Sequence, residues 1–139
     1  MKYLMLFLFM FPQSIYAMDV IINKVIDGDT FQIIIKEHPP ELQKLSIRIL
    51  HLDTPEIHGH CDLEKERAQK AKQFLDKLLP VNSLVTLKNI KYDKYGGRIL
   101  ADVFYNNTNI ADLMKSNKLG ADYEGEGPKP SWCDENFLK

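Results

Sequence analysis

β-Branched and aromatic residues gather in short runs along the chain, and the polar residues between the runs mark where it turns. Residues 19–25 (DVIINKV) and 30–36 (TFQIIIK) are two such runs, separated by Ile26-Asp-Gly-Asp29. Asp-Gly between two strand-like runs predicts a tight hairpin, with the glycine supplying positive φ. A third strand is predicted over 44–52 (KLSIRILHL), after the break at Pro39-Pro40. Two more follow over 84–92 and 98–105, joined by Asp-Lys-Tyr-Gly-Gly.

Between the third and fourth runs the period changes. Ala68, Ala71, Phe74, Leu75, Leu78 and Leu79 recur at spacings of three and four, while Glu64, Lys65, Glu66, Arg67 and Lys70 fill the other face. This predicts an amphipathic helix, N-capped by Asp62 and ended by Pro80. A shorter helix is predicted over about 110–118, and the tail over 123–139 is rich in Gly, Pro and charge. A hairpin meander, one long helix between strands 3 and 4 and a shorter helix after strand 5 predict an α+β fold. Its centre is a small five-stranded β-barrel of OB type.

Composition fits one globular domain: 139 residues, 45% hydrophobic and 10% aromatic. The first seventeen residues, MKYLMLFLFMFPQSIYA, combine an early lysine, an apolar block too short to span a bilayer, and a small-residue end at Ala17. That is the layout of a secretory signal peptide, so export with cleavage near Ala17 is expected, to the periplasm or the medium, with residues 18–139 as the mature domain. No cysteine follows the apolar block, which disfavours a lipid anchor, and no membrane association is expected of the mature form.

Export permits a disulfide, and the chain has one pair of cysteines, Cys61 and Cys133. A bond between them would close a large loop, worth roughly 4 kcal/mol in the chain-entropy account; the alternative is two free thiols. A soft-metal site of His58, His60 and Cys61 is a rival reading, but three ligands within four residues crowd one ion. The formal net charge of −1 argues against a nucleic-acid partner held by bulk charge. Locally, however, Lys88, Lys91, Lys94 and Arg98 face only Asp93 between residues 88 and 98, so a basic rim is expected there.

The candidate chemistry lies at the mouth of the third strand, in RILHLDTPE over 48–56. An arginine inside an apolar run is followed by Asp53 and Glu56, with Pro55 pushing Thr54 into extended backbone. Carboxylates and a backbone carbonyl suit a hard cation, Ca²⁺ or Mg²⁺. Asp27-Gly28-Asp29 adds carboxylates at a second turn, and Arg98 adds a second arginine. Two arginines and a carboxylate-held cation can stabilise the charge that builds on a phosphoryl centre, and a further carboxylate can activate water.

Taken together, IDGDT at 26–30, RILHLDTPE at 48–56 and DKYGGR at 93–98 resemble, in order and spacing, the motifs of the thermonucleases, the staphylococcal-nuclease-like family. The resemblance runs from about residue 19 to 123. It implies an OB-fold endonuclease that uses Ca²⁺ to hydrolyse DNA and RNA phosphodiesters, leaving 3′-phosphate and 5′-hydroxyl ends, acts preferentially on single strands and works as a monomer. Carried over by motif, Asp29 and Asp53 would ligate calcium with the Thr54 carbonyl, and Asp27 would lie in the outer shell. Glu56 matches the candidate general base, Arg48 would bridge phosphate and metal region, and Arg98 would stabilise the transition state. Lys94, Tyr95 and Tyr123 match contacts to a neighbouring phosphate.

This chain departs from the common third motif in having two glycines, Gly96 and Gly97, before the arginine, and its C-terminal region is short. The alternative function is a catalytically weak or inactive OB module that binds single-stranded nucleic acid or a protein partner. Such modules typically lose the carboxylates or arginines, and here Asp29, Asp53, Glu56, Arg48 and Arg98 are all present. A calcium-dependent structural domain would explain the carboxylates but not the arginines. Regular alternation puts Arg48 and Asp53 on opposite faces of the strand, so a shared site requires a bulge or an early strand exit between His51 and Asp53.

Overall fold

The computed structural model describes residues 16–94 and 96–137, so Tyr95 and nearly all of the expected signal peptide lie outside the described residues. The apolar runs form β1 (Ala17–Val25), β2 (Thr30–Ile34), β3 (Lys44–Ile49), β4 (Leu84–Tyr92) and β5 (Arg98–Tyr105). A two-residue strand, β6 (Thr108–Asn109), follows. The helices are α1 (Asp62–Leu78), between β3 and β4, and α2 (Ile110–Ser116). The strand order is β3-β2-β1-β4-β5-β6, and a parallel pairing of β3 with β5 closes the first five strands into a barrel. This is the α+β barrel that the periodicity predicts.

Alternation decides what fills the barrel. Val20, Ile22, Phe31, Ile33, Ile47, Ile49, Val85, Leu87 and Val103 point inward and are buried. Helix α1 closes one side with Ala68, Ala71 and Leu75, and α2 contributes Ile110 and Met114. Each fully buried Ile, Leu or Phe is worth roughly 1.5–3 kcal/mol relative to exposure, so this inner face is the main source of stability. Among the described residues, no helix is long and apolar enough to cross a membrane.

Local corrections follow from tertiary context. Helix α1 is capped by Cys61, not Asp62: Cys61 holds the extended cap conformation and its Sγ accepts the Glu64 N–H, while Asp62 is already in the first turn. Glu64 does not join the polar face; it is buried beneath the 55–60 loop. β2 and β3 stop short of their predicted ends, at Ile34 and Ile49. β6 arises because Asn106 and Asn107 both take positive φ, 48° and 63°, the geometry of a tight hairpin turn.

Gly28 also needs a different explanation. It is not among the positive-φ residues; what excludes a side chain is space. A Cβ there would lie 2.8 Å from the Ala71 Cβ and 2.8 Å from the Thr54 Oγ1. The β1–β2 turn, α1 and the loop after β3 therefore meet at this glycine, with Asp27 and Asp29 on either side of it. We expect Gly28→Ala to cost about 1–3 kcal/mol through overpacking, read as a lower urea midpoint at unchanged slope. An unshifted midpoint would show that the three segments are not held in contact there.

Candidate active site

Backbone bonds bring the first two motifs together. β2 and β3 pair antiparallel with Thr30 opposite Arg48, and the Ile49 N–H donates to the Asp29 carbonyl at 2.9 Å. β3 then ends, and His51 takes a φ of 60°. This left-handed residue breaks the alternation: Leu52 turns into the core with Ile49, and Asp53 comes back to the side of Arg48. The break lies where a site shared by Arg48 and Asp53 requires one. Reciprocal bonds between Asp53 and Ala121, both 2.9 Å, fix the new course of the chain.

Arg48 is the hub of the resulting cluster. Its Nη2 lies 3.1 Å from Asp29 Oδ2 and 3.1 Å from Asp53 Oδ1, and its Nη1 donates to Asp29 Oδ1 at 3.3 Å. Asp29 also accepts the Thr30 hydroxyl at 2.8 Å and the Thr54 N–H at 3.2 Å. Asp27 Oδ1 accepts the Asp29 N–H at 3.2 Å, which fixes the turn that presents Asp29. Asp29, Asp53 and Thr54 are all buried.

Burial pushes the Asp29 carboxyl up to about 7. Arg48 opposes that rise, Asp27 adds to it, and the Thr30 hydrogen bond opposes it, but desolvation prevails. Burial alone would lower the Arg48 pKa, yet the charges of Asp29 and Asp53 hold it above its ordinary value. Two buried carboxyl groups thus converge on Arg48 and gather hard oxygen donors at one point. That donor chemistry fits Ca²⁺ or Mg²⁺ and not a soft metal.

Glu56 stands beside the cluster with its side chain 52% exposed. Its N–H is held by Glu64 Oε1 at 3.2 Å, while Glu64 Oε2 accepts the His60 N–H at 2.9 Å. Glu64 thus braces the loop that carries the candidate base. It escapes helical periodicity because its partners are main-chain amides of that loop; the one local signal is Gly59, where a Cβ would lie 2.3 Å from Glu64 Cδ.

A cavity of about 340 Å³ opens next to the cluster, lined by Arg48, Lys94, Arg98, Tyr123 and Lys129 among others. Arg98 is steadied by Asp93, with Nε and Nη2 at 2.9 and 2.8 Å from the same oxygen. The extra glycine is absorbed by a turn in which Gly96 and Gly97 both take positive φ, 73° and 74°. Its closing bonds are Asp93 N–H to Arg98 O at 3.1 Å and Gly96 N–H to Asp93 O at 2.9 Å. Lys94 reaches the Gly125 carbonyl at 3.4 Å and Tyr123 the Gly127 carbonyl at 3.4 Å.

The basic rim is redrawn. Neither Lys88 nor Lys91 lines this cavity; Lys88 instead stacks over Phe104, 4.5 Å from the ring centre. Arg48 and Lys129 take their places, and Glu124 and Glu126 lie on the same wall.

Cys61 and Cys133 are bonded to each other, so Cys61 cannot serve a soft-metal site with His58 and His60. The bridge carries the tail into the cluster. Trp132, buried, donates its Nε1–H to Asp53 Oδ2 at 2.8 Å, and Lys129 Nζ lies 3.3 Å from Asp53 Oδ1 and 3.0 Å from Glu56 Oε1. Arg67 on α1 donates to the Trp132 and Asp134 carbonyls at 2.7 and 2.8 Å. No motif marks Lys129 or Trp132. The only pointer in the sequence is that Trp132 adjoins Cys133.

Residues 46–129 match the family model described as staphylococcal nuclease homologue. Two curated relatives, both uncharacterized, also match. One, from Bacillus anthracis, is 34% identical over 115 residues, covering 79% of this chain and 51% of its own length. Another, from Methanocaldococcus jannaschii, is 38% identical over 105 residues, covering 62% of this chain and 48% of its own. The chain spans about half the length of these relatives.

The raised Asp29 pKa sets a pH dependence for the metal-free protein. The unfolded carboxyl titrates near 3.8 and the folded one near 7, so the folded state holds the extra proton between these values. The penalty on the ionised form is absent below the lower value, grows across the window and is complete above the higher one. In EDTA, the unfolding free energy of Asp29→Asn relative to wild type should move in the variant's favour by about 3 kcal/mol between about pH 4.5 and about pH 8. Urea titrations at the two pH values measure this, and a constant difference would show that burial does not penalise the Asp29 anion.

Proposed function

The chain belongs to the staphylococcal nuclease homologue family, and from that premise we propose that it is an exported Ca²⁺-dependent endonuclease. It hydrolyses phosphodiester bonds of DNA and RNA, single strands preferred, to 3′-phosphate and 5′-hydroxyl ends, and acts as a monomer. The observation that carries this reading is the position of Arg48. It reaches Asp29 and Asp53, and it lines one cavity with Arg98.

Asp29 and Asp53, with the Thr54 carbonyl, are the residues that would hold Ca²⁺, and Asp27 supports Asp29 from behind through its N–H. When bound, the ion supplies positive charge to a phosphate oxygen. Arg48 binds the scissile phosphate from the carboxylate side. Arg98, kept in place by Asp93, faces the charge that develops on the phosphate and its leaving oxygen. Glu56 takes a proton from the attacking water: its exposure admits water, and Glu64 fixes its backbone. Lys94, Tyr95 and Tyr123 hold the neighbouring phosphate.

Asp29, Asp53, Glu56, Arg48 and Arg98 are all present, which favours an enzyme over a binding module of the same fold. The single cysteine pair, bonded, suits an oxidising compartment, in keeping with export after cleavage near Ala17. Heat-denatured DNA should be cut by the wild type in Ca²⁺ and left intact in EDTA. Glu56→Gln and Arg48→Ala should each slow cutting by about 100-fold or more. The products should resist polymerase extension until a phosphatase removes their 3′-phosphates and leaves 3′-hydroxyls. DNA left intact by the wild type in millimolar Ca²⁺, or variants that cut as fast as wild type, would falsify the reading.

A further inference from the structure

The tail places two side chains on Asp53, one a neutral hydrogen-bond donor and the other a full cation. Trp132 donates to Oδ2 through an indole N–H, a neutral donor that fixes the plane of a carboxylate without adding charge. Lys129 brings a full positive charge between Asp53 Oδ1 and Glu56 Oε1, at 3.3 and 3.0 Å, and so opposes the entry of any further cation. Oδ1 already faces two cations, Arg48 and Lys129. Each carboxylate oxygen offers about two acceptor positions, so Oδ2, which accepts from Trp132, keeps capacity for a further ligand.

The segment carrying both residues is fastened. The Cys61–Cys133 bridge ties it to the start of α1, Arg67 holds two of its carbonyls, and the Trp132 ring meets Phe137 edge-on at 5.1 Å. The contacts to Asp53 therefore come from a built strap and not from a passing surface lysine. We propose that the tail is part of the cation centre: Trp132 is a positioning residue for Asp53, and Lys129 is a resident counter-cation with which a divalent ion competes. This rests on the reading of Asp53 as a cation ligand, and it assigns the two residues opposite effects on affinity.

Calorimetric titration of the disulfide-bonded protein with CaCl₂ tests it. Trp132→Phe keeps the aromatic packing and loses the N–H; its Ca²⁺ dissociation constant should rise about tenfold, the usual scale for a residue that orients a metal ligand. Lys129→Met should tighten binding, by roughly fivefold at low salt because the lysine is half exposed and screened, and the gain should shrink near 1 M KCl. Trp132 is the only tryptophan of the chain, so its emission should change on Ca²⁺ addition in the wild type and in Lys129→Met, which checks the placement without any substitution at Trp132. Unchanged affinity in both variants, tightening lost from Lys129→Met, or wild-type emission indifferent to Ca²⁺ overturns the proposal. The nuclease reading survives those results if the wild type still cuts DNA in Ca²⁺, whereas a wild type that neither binds Ca²⁺ nor cuts overturns both.

Discussion

Arg48 holds two buried carboxylates together, and the rest of the site is arranged around that fact. Asp53 is 1% exposed and Arg48 only 15%, so the charges have given up most of their hydration. Such a group is tolerated only if its remaining hydrogen-bonding capacity is met, and breaking it from one side leaves an uncompensated charge. Here Thr30, the Thr54 amide and Trp132 meet it, each from a different segment. The ionic cluster thereby fastens the β1–β2 turn, the exit of β3 and the tail to one point. The barrel supplies the register that puts Arg48 between Thr30 on one neighbour and Leu100 on the other.

How much of this the sequence could reveal depends on the range of the forces involved. Strand alternation and the spacing of Ala68, Ala71 and Leu75 are local patterns produced by one buried face, and they describe the barrel and α1 well. The break near His51 is legible as well, because alternation and a shared site contradict each other. Glu64 is hidden: a carboxylate in a first helical turn looks solvated until the loop that buries it is seen. Gly28 is misread in its reason, because a hairpin glycine and a close-packed glycine look the same from inside the turn. Trp132 and Lys129 reach residues 79 and 73 positions away, and a polar tail with little periodicity announces neither contact.

The distribution of charge resolves an apparent objection. An acidic chain is a poor polyanion binder if its charges are averaged, yet binding responds to the local field. Around the cavity, among the described residues, Arg48, Lys94, Arg98 and Lys129 face Asp93, Glu124 and Glu126. The carboxylates are not idle, since Asp93 clamps Arg98 and Glu124 engages His51 at 2.8 Å. The wall thus includes oriented charge pairs and is not a uniform basic field.

The tail passes through Gly125 and Gly127, both at positive φ, 84° and 78°, in open surroundings before it reaches Trp132 and the bridge. Exposed glycine turns of this kind are where proteases nick a folded chain. A cut there would not shed the strap: Cys133 keeps the fragment covalently attached to the start of α1, with Trp132 still beside Asp53. A protein with this topology carries its closing segment as a tethered second chain after nicking, and the loss becomes visible only when the bridge is reduced.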